Sequence, residues 1–305
     1  MNTIFHPSSR KNPLFVMSPL TKGYVAMSVV LFIWSGFALT VRAVGASSLS
    51  IADVMLIRFS VPLVLLTPWV LSSWHEVKNI RLPDIMFVLL GGVPFLLLAA
   101  FGASTVPAAY VGTILTGTPV FFAAILSFIF YRQRISLRKF AALILILFGI
   151  ATMIGGRAQS IPNSLLYGVG LLLMASLIWA GYTLGLKSTK LSPIAIAIVL
   201  SYTSFFLTLM MVLSGIVETN IGSVSFDEAL PFILVQGLGV GVVSTIAFSY
   251  AVKKLGSIRT LLLGSLSPGL TAILATLILN ESLSVIMICG IVLSTIGVIL
   301  SNRAK

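Results

Sequence analysis

Ten apolar stretches sort the positive charges of this chain almost entirely onto one side, and that partition constrains the fold more than any other feature. The stretches lie at about 23–43, 54–72, 84–102, 106–130, 140–156, 164–186, 193–215, 230–252, 256–279 and 284–302. Each is about 17–25 residues long, enough for a helix to cross a hydrocarbon core of about 30 Å. With the N-terminus inside, the inner segments hold Arg10, Lys11, Lys22, Lys78, Arg81, Arg132, Arg134, Arg138, Lys139, Lys187, Lys190, Lys253, Lys254, Arg259, Arg303 and Lys305. Only Arg42 and Arg157 fall outside, and Arg58 sits within a span. A wrong span count would scramble this order, because every later loop would change sides. The positive-inside bias thus predicts ten helices in an inner (plasma) membrane, with both termini cytoplasmic.

Composition fits. The chain is 58% hydrophobic and 9% charged, with mean hydropathy +1.13, whereas a soluble domain carries about 25% charged residues. Only closed helices suit such spans here, since lipid offers no partner to an open backbone group. A net charge of +12 would suggest nucleic acid in a soluble protein. Dispersed over the inner segments it reads as topology, and no nucleic-acid partner is expected. The acids mirror the bases: Asp53, Glu218, Asp227, Glu228 and Glu281 fall outside, Glu76 and Asp84 inside. The lone Cys289 rules out an internal disulfide framework. Residues 1–21 are polar and lack an apolar core and cleavage site, so they read as a flexible cytoplasmic tail, with Met17 an alternative start.

The two halves repeat. Ile33-Trp34-Ser35-Gly36 recurs as Ile178-Trp179-Ala180-Gly181, an offset of 145. From the third span on, an offset of 149 pairs Gly92 with Gly241, Phe101 with Tyr250, Pro119 with Pro268 and Arg132 with Glu281. Units at 22–156 and 163–302 each hold five spans. Five is odd, so the second copy inserts upside down relative to the first, which is the inverted-repeat plan of secondary transporters.

A tryptophan midway along the first and sixth spans, Arg58 in the second, and the run from Pro268 to Asn280-Glu281-Ser282-Leu283 followed by Gly290 and Gly297 together resemble the EamA branch of the drug/metabolite transporter superfamily. The resemblance covers about 23–302. It implies a central site surrounded by spans 1, 3, 4, 6, 8 and 9. Where members often carry a first-half Glu, this chain has Arg132-Gln133, which argues against a symmetric role for Glu281.

Arg58 is the one charge at membrane depth, where charge is costly and usually functional. It either meets a substrate carboxylate or an outer-gate partner, or snorkels and braces its helix. Arg259 is a cytoplasmic gate residue or one more inner-surface charge. Pro119 and Pro268 interrupt their spans beside the hydroxyls of Thr116, Ser265 and Ser267; such paired interruptions mark a midplane site, or else packing kinks. Trp34 and Trp179 lie away from the interfacial belts, and with Tyr110, Phe101, Tyr182 and Tyr250 they either line a cavity or simply pack. The Gly91-Gly92 and Gly237, Gly239, Gly241 sets read as close helix contacts.

No span carries His, a catalytic pair or a metal-ligand cluster, and no Walker-type loop is present. The chain is therefore not expected to be an enzyme or to hold a metal or cofactor. Deep acids of a proton relay are absent too, so no residue argues for proton coupling. The expectation is an all-α carrier of a small amphipathic metabolite, such as an amino acid, working by alternating access and exporting its cargo. Uptake of a vitamin, nucleoside or other cofactor precursor, or a non-transporting membrane subunit, are the alternatives. Whether it is a monomer or a homodimer is open.

Overall fold

The structure, a computed structural model, describes residues 18–155 and 162–303. Arg157 and residues 1–17 of the expected tail lie outside the described residues. Ten helices are present among those described: α1 (Pro19–Ala43), α2 (Ile51–Lys78), α3 (Leu82–Ser104), α4 (Ala108–Tyr131), α5 (Leu137–Gly155), α6 (Asn163–Ser188), α7 (Pro193–Leu213), α8 (Phe226–Leu255), α9 (Ser257–Ile278) and α10 (Val285–Arg303). The first nine are long and apolar enough to span a membrane. The apolar stretch of the tenth, Val285–Ser301, is shorter, but still about the minimum that crosses.

Local chemistry fixes the helix starts. Ser18 accepts from the Thr21 N–H and Ser192 from that of Ala195, as N-caps do. Residues 18–21, expected in the tail, therefore belong to the first helix and its cap. Ser50 and Asp53 form a full capping box at the start of α2.

Four spans are interrupted. Pro119 and Pro268 break α4 and α9 where the sequence places them, after Gly117 and after Gly264. Two interruptions were not foreseen. α3 breaks at Gly91–Gly92, where Gly92 leaves helical geometry (φ −96°, ψ −126°), and α8 carries a π-helical run over Ile233–Ser244.

The halves interlock helix by helix across the molecule. α1 packs on α8, α2 on α7, α3 on α6, α4 on α9 and α5 on α10. The last contact is between bare backbones. A methyl built on Gly149 would lie 2.6 Å from the Gly290 carbonyl oxygen and 2.6 Å from the Ser294 nitrogen. One on Gly297 would lie 2.9 Å from the Ala142 oxygen and 2.8 Å from the Ile146 nitrogen. Small residues let helices approach this closely in lipid, where no hydrophobic drive brings them together.

The backbone also corrects the register of the repeat. Arg132 and Asn280 are the two non-glycine residues with left-handed φ among those described, at 51° and 53°. The next residue in each case donates back into the helix, Gln133 to the Ser127 carbonyl and Glu281 to that of Ala275. Glu281 therefore corresponds to Gln133 and not to Arg132. The second half is one residue shorter between its proline and its turn.

Candidate functional site

Midway between the halves, Trp34, Phe37 and Ala38 of α1, Arg58 of α2, Phe95 of α3, four residues of α4 including Thr116, Trp179 of α6 and Val240 of α8 enclose a cavity. Its volume is about 30 Å³, room for about two waters. That volume is too small for a metabolite. Its wall is aromatic. The Trp34 and Trp179 rings meet edge to face with centroids 5.6 Å apart, and Phe95 and Phe248 lie 4.8 and 5.3 Å from Trp179. Such geometry sets the ring edge of one against the π-face of the other.

Each tryptophan is held by its surroundings. Trp34 donates its indole N–H to the Ser244 hydroxyl at the end of the π-helical run, 3.0 Å away. A methyl on Gly264 of α9 would lie 2.9 Å from that indole, so the break in α9 makes room for the ring. Trp179 rests against Tyr182, centroids 4.9 Å apart, and a methyl on Gly91 would lie 2.8 Å from the Tyr182 ring. The glycine pair in α3 is a close contact, as its sequence suggested, and its interruption seats the aromatic wall.

Arg58 does not snorkel. It is 4% exposed, with its guanidinium carbon 5.1 Å from the centre of the Phe37 ring. It donates to Gln236 Oε1 at 3.1 Å, Gln236 donates to Thr40 Oγ1 at 2.8 Å, and Thr40 donates to the Gly36 and Phe37 carbonyls. The chain runs from α2 through α8 into α1, across both halves. The two ion pairs among the described residues are Arg42–Glu281 and Arg81–Asp84, so the buried Arg58 faces the cavity without an acid.

The remaining expected site residues are distributed differently. Thr116 lines the cavity and donates to its own helix at Gly112. Ser267 meets Ser35 at 3.1 Å behind Trp34, and Ser265 turns back to the Leu262 carbonyl. Pro119 and Pro268 are buried at the helix breaks and are not part of this cavity's wall. Tyr110 is buried and donates to the Met153 carbonyl at 2.5 Å, tying α4 to α5. Phe101 is 48% exposed on the outside of the bundle, and Tyr250 lies under the Lys254 ammonium; neither reaches the cavity. The cavity wall includes α2 where α9 was expected, because Thr271 of α9 packs behind Gly112 of α4.

Sequence reasoning missed Gln236, Phe37, Phe95 and Ser244. Gln236 carried a usable signal, as the one glutamine within an apolar span. The phenylalanines had none, being indistinguishable from lipid-facing ones such as Phe101.

The two ends of the bundle differ. At one, Arg42 pairs with Glu281 at 3.4 Å, and Glu281 accepts from the Ala108 N–H at 2.9 Å. Glu228 accepts from the Ser48 N–H and hydroxyl, and Asp53 accepts from Thr219 and the Asn220 N–H. All of these bonds join the two halves, and this is the sealed face. At the other end a cleft of about 640 Å³ is lined by Tyr131, Gln133, Lys187, Ser257 and the exposed Arg259. That is the basic face.

A family model described as the EamA-like transporter family matches residues 21–155 and again 166–303. The chain belongs to that family, with its domain present twice. It is 24% identical over 248 residues to an uncharacterized transporter of Synechocystis sp., covering 77% of this chain and 73% of the relative. A second uncharacterized transporter, from Clostridium kluyveri, is 24% identical over 270 residues, covering 83% and 84%. A solved crystal structure superposes with a TM-score of 0.66 at 14% identity, covering 92% of this chain and 96% of that one; the likeness is one of fold. This EamA-like chain is thus a multi-pass membrane protein of a transporter family, built as two inverted repeats of five helices.

Proposed function

We propose that the protein is a secondary carrier that exports a small amphipathic metabolite bearing a carboxylate, an amino acid or a close relative, by alternating access across the inner membrane. The observation that carries this reading is Arg58, a buried guanidinium without an acid beside an aromatic cavity at the seam of two inverted repeats. A buried cation without a counter-charge is costly, and a cargo carboxylate would supply that charge. Trp34 and Trp179 give the apolar part of the cargo a flat wall. The family supplies the transporter class, and the inverted repeat gives a site that either side can reach.

Charge supports an orientation. The basic face carries most of the lysines and arginines, which favours the cytoplasmic side. Its cleft is where cargo would load, while the carboxylate hydrogen bonds on the sealed face hold the outer side shut. Interruptions in α3, α4, α8 and α9 lie where helices would bend as the cavity widens.

The test is counterflow in proteoliposomes loaded with phenylalanine, 3-phenylpropanoate or its amide. Exchange of the carboxylates, cut about tenfold by Trp34→Ala and by Arg58→Gln at equal protein, is the expected result, since each loses about 1.4 kcal/mol or more of cargo binding. Equal flux from Trp34→Ala at equal abundance would sink the cavity assignment.

A further inference from the structure

The repeat equivalents of the outer seal do not carry the same chemistry. On the sealed face the Glu281 carboxylate sits between the Arg42 guanidinium, 3.4 Å away, and the Ala108 N–H, 2.9 Å away, at the start of α4. The offset that joins Trp34 to Trp179 carries Arg42 onto Lys187, and the one that joins Pro119 to Pro268 carries Ala108 onto Ser257. The left-handed turns carry Glu281 onto Gln133. Lys187, Ser257 and Gln133 all line the cleft of about 640 Å³ on the basic face, and Arg259 lines it with them. Three positions that close one end thus surround an open volume at the other.

The difference is one carboxylate. Gln133 offers a neutral amide where Glu281 offers a charge, and among the described residues neither Lys187 nor Arg259 takes part in an ion pair. Ser257 opens α9, and the first N–H groups of a helix have no partner within it. The cleft therefore has the cations and the donor of the seal without its acid.

We infer that this cleft captures the anionic group of the cargo, which takes between Lys187 and the Ser257 N–H the place that Glu281 holds between Arg42 and the Ala108 N–H. The cargo itself completes the gate on the basic face, and Arg259 adds a second positive charge at the mouth. An uncharged or cationic analogue leaves the cleft open. This rests on the carrier reading, because it makes the captured anion a transported one.

The experiment uses the full chain with Cys289→Ser and Ser188→Cys, in phosphatidylcholine nanodiscs, and follows alkylation at position 188 by N-ethylmaleimide. Cys289 is exposed and must be removed first, while Ser188 lines the cleft. Millimolar 3-phenylpropanoate should slow alkylation about fivefold, the shift that one good ion pair produces, and its amide and amine should not. Gln133→Glu should slow it to a similar degree with no ligand present. Equal protection by acid, amide and amine, no protection by the acid, or no effect of Gln133→Glu would each overturn the inference. Protection on adding phosphatidylglycerol to the disc, with none from the acid, would assign the anion to a lipid headgroup and overturn it as well. Counterflow of the same protein separates the two readings. Flux without protection leaves the carrier and removes the capture site, whereas protection without flux removes the carrier reading and, with it, the assignment of the anion to cargo.

Discussion

The two faces of this bundle are built from equivalent parts and behave differently. On the sealed face three acids, Asp53, Glu228 and Glu281, each accept hydrogen bonds that cross from one half to the other. On the basic face one acid does so, Glu76, which accepts from the Ser192 N–H at 2.5 Å, and Lys253 reaches the Thr189 carbonyl within its own half. Asp84 is occupied by Arg81, its neighbour three residues earlier. Backbone symmetry alone therefore does not set which end is closed. The placement of a few carboxylates does, because a carboxylate can accept from several donors at once and a lysine cannot accept at all.

Changing those carboxylates should abolish the contrast in order of their burial. Asp53 is fully buried and accepts from the Ser50 N–H at 2.8 Å, from Thr219 at 2.5 Å and from the Asn220 N–H at 3.1 Å. Asp53→Ala should destabilise by about 3 kcal/mol, as removing a charged acceptor from several donors does, and a thermal melt of the purified protein would read it. Glu281→Gln keeps the shape of the seal and weakens its charge-assisted bonds. It should cost about 1–2 kcal/mol and raise access of aqueous maleimide to a thiol introduced by Ser104→Cys. Trp34→Phe keeps an aromatic ring, though a smaller one, and removes the donor to Ser244. About 1 kcal/mol of stability should go with it. Phe101→Ala, on the outside of the bundle, should move stability by no more than about 0.5 kcal/mol and leave counterflow intact. A large loss there would place the cavity wrongly.

Much of this was legible in the chain. The apolar stretches located all ten helices, the largest slip being about six residues at the end of α2, because a span must be long and apolar. The tryptophans and Arg58 stood out because such groups at membrane depth need partners. The π-helical run of α8 left no mark, since Ile233–Ser244 reads as ordinary apolar helix. The register slip that pairs Gln133 with Glu281 was also hidden, because adjacent Arg132 gave a plausible match and only backbone φ separates the two. Phe101 and Phe95 show the general difficulty. In lipid an aromatic side chain is equally at home facing out or in, so burial does not follow from hydrophobicity.

The contact between α5 and α10 has the form of an interface between two molecules. Gly149 meets residues 290 and 294, and Gly297 meets 142 and 146; each position is the other's repeat mate, as residues are across a twofold axis. Such a surface is self-complementary and needs no peptide link to be recognised. Two separately made fragments, cut after α5, carry both sides of it. Expressed together, they should assemble in the membrane provided that one half inserts in each orientation.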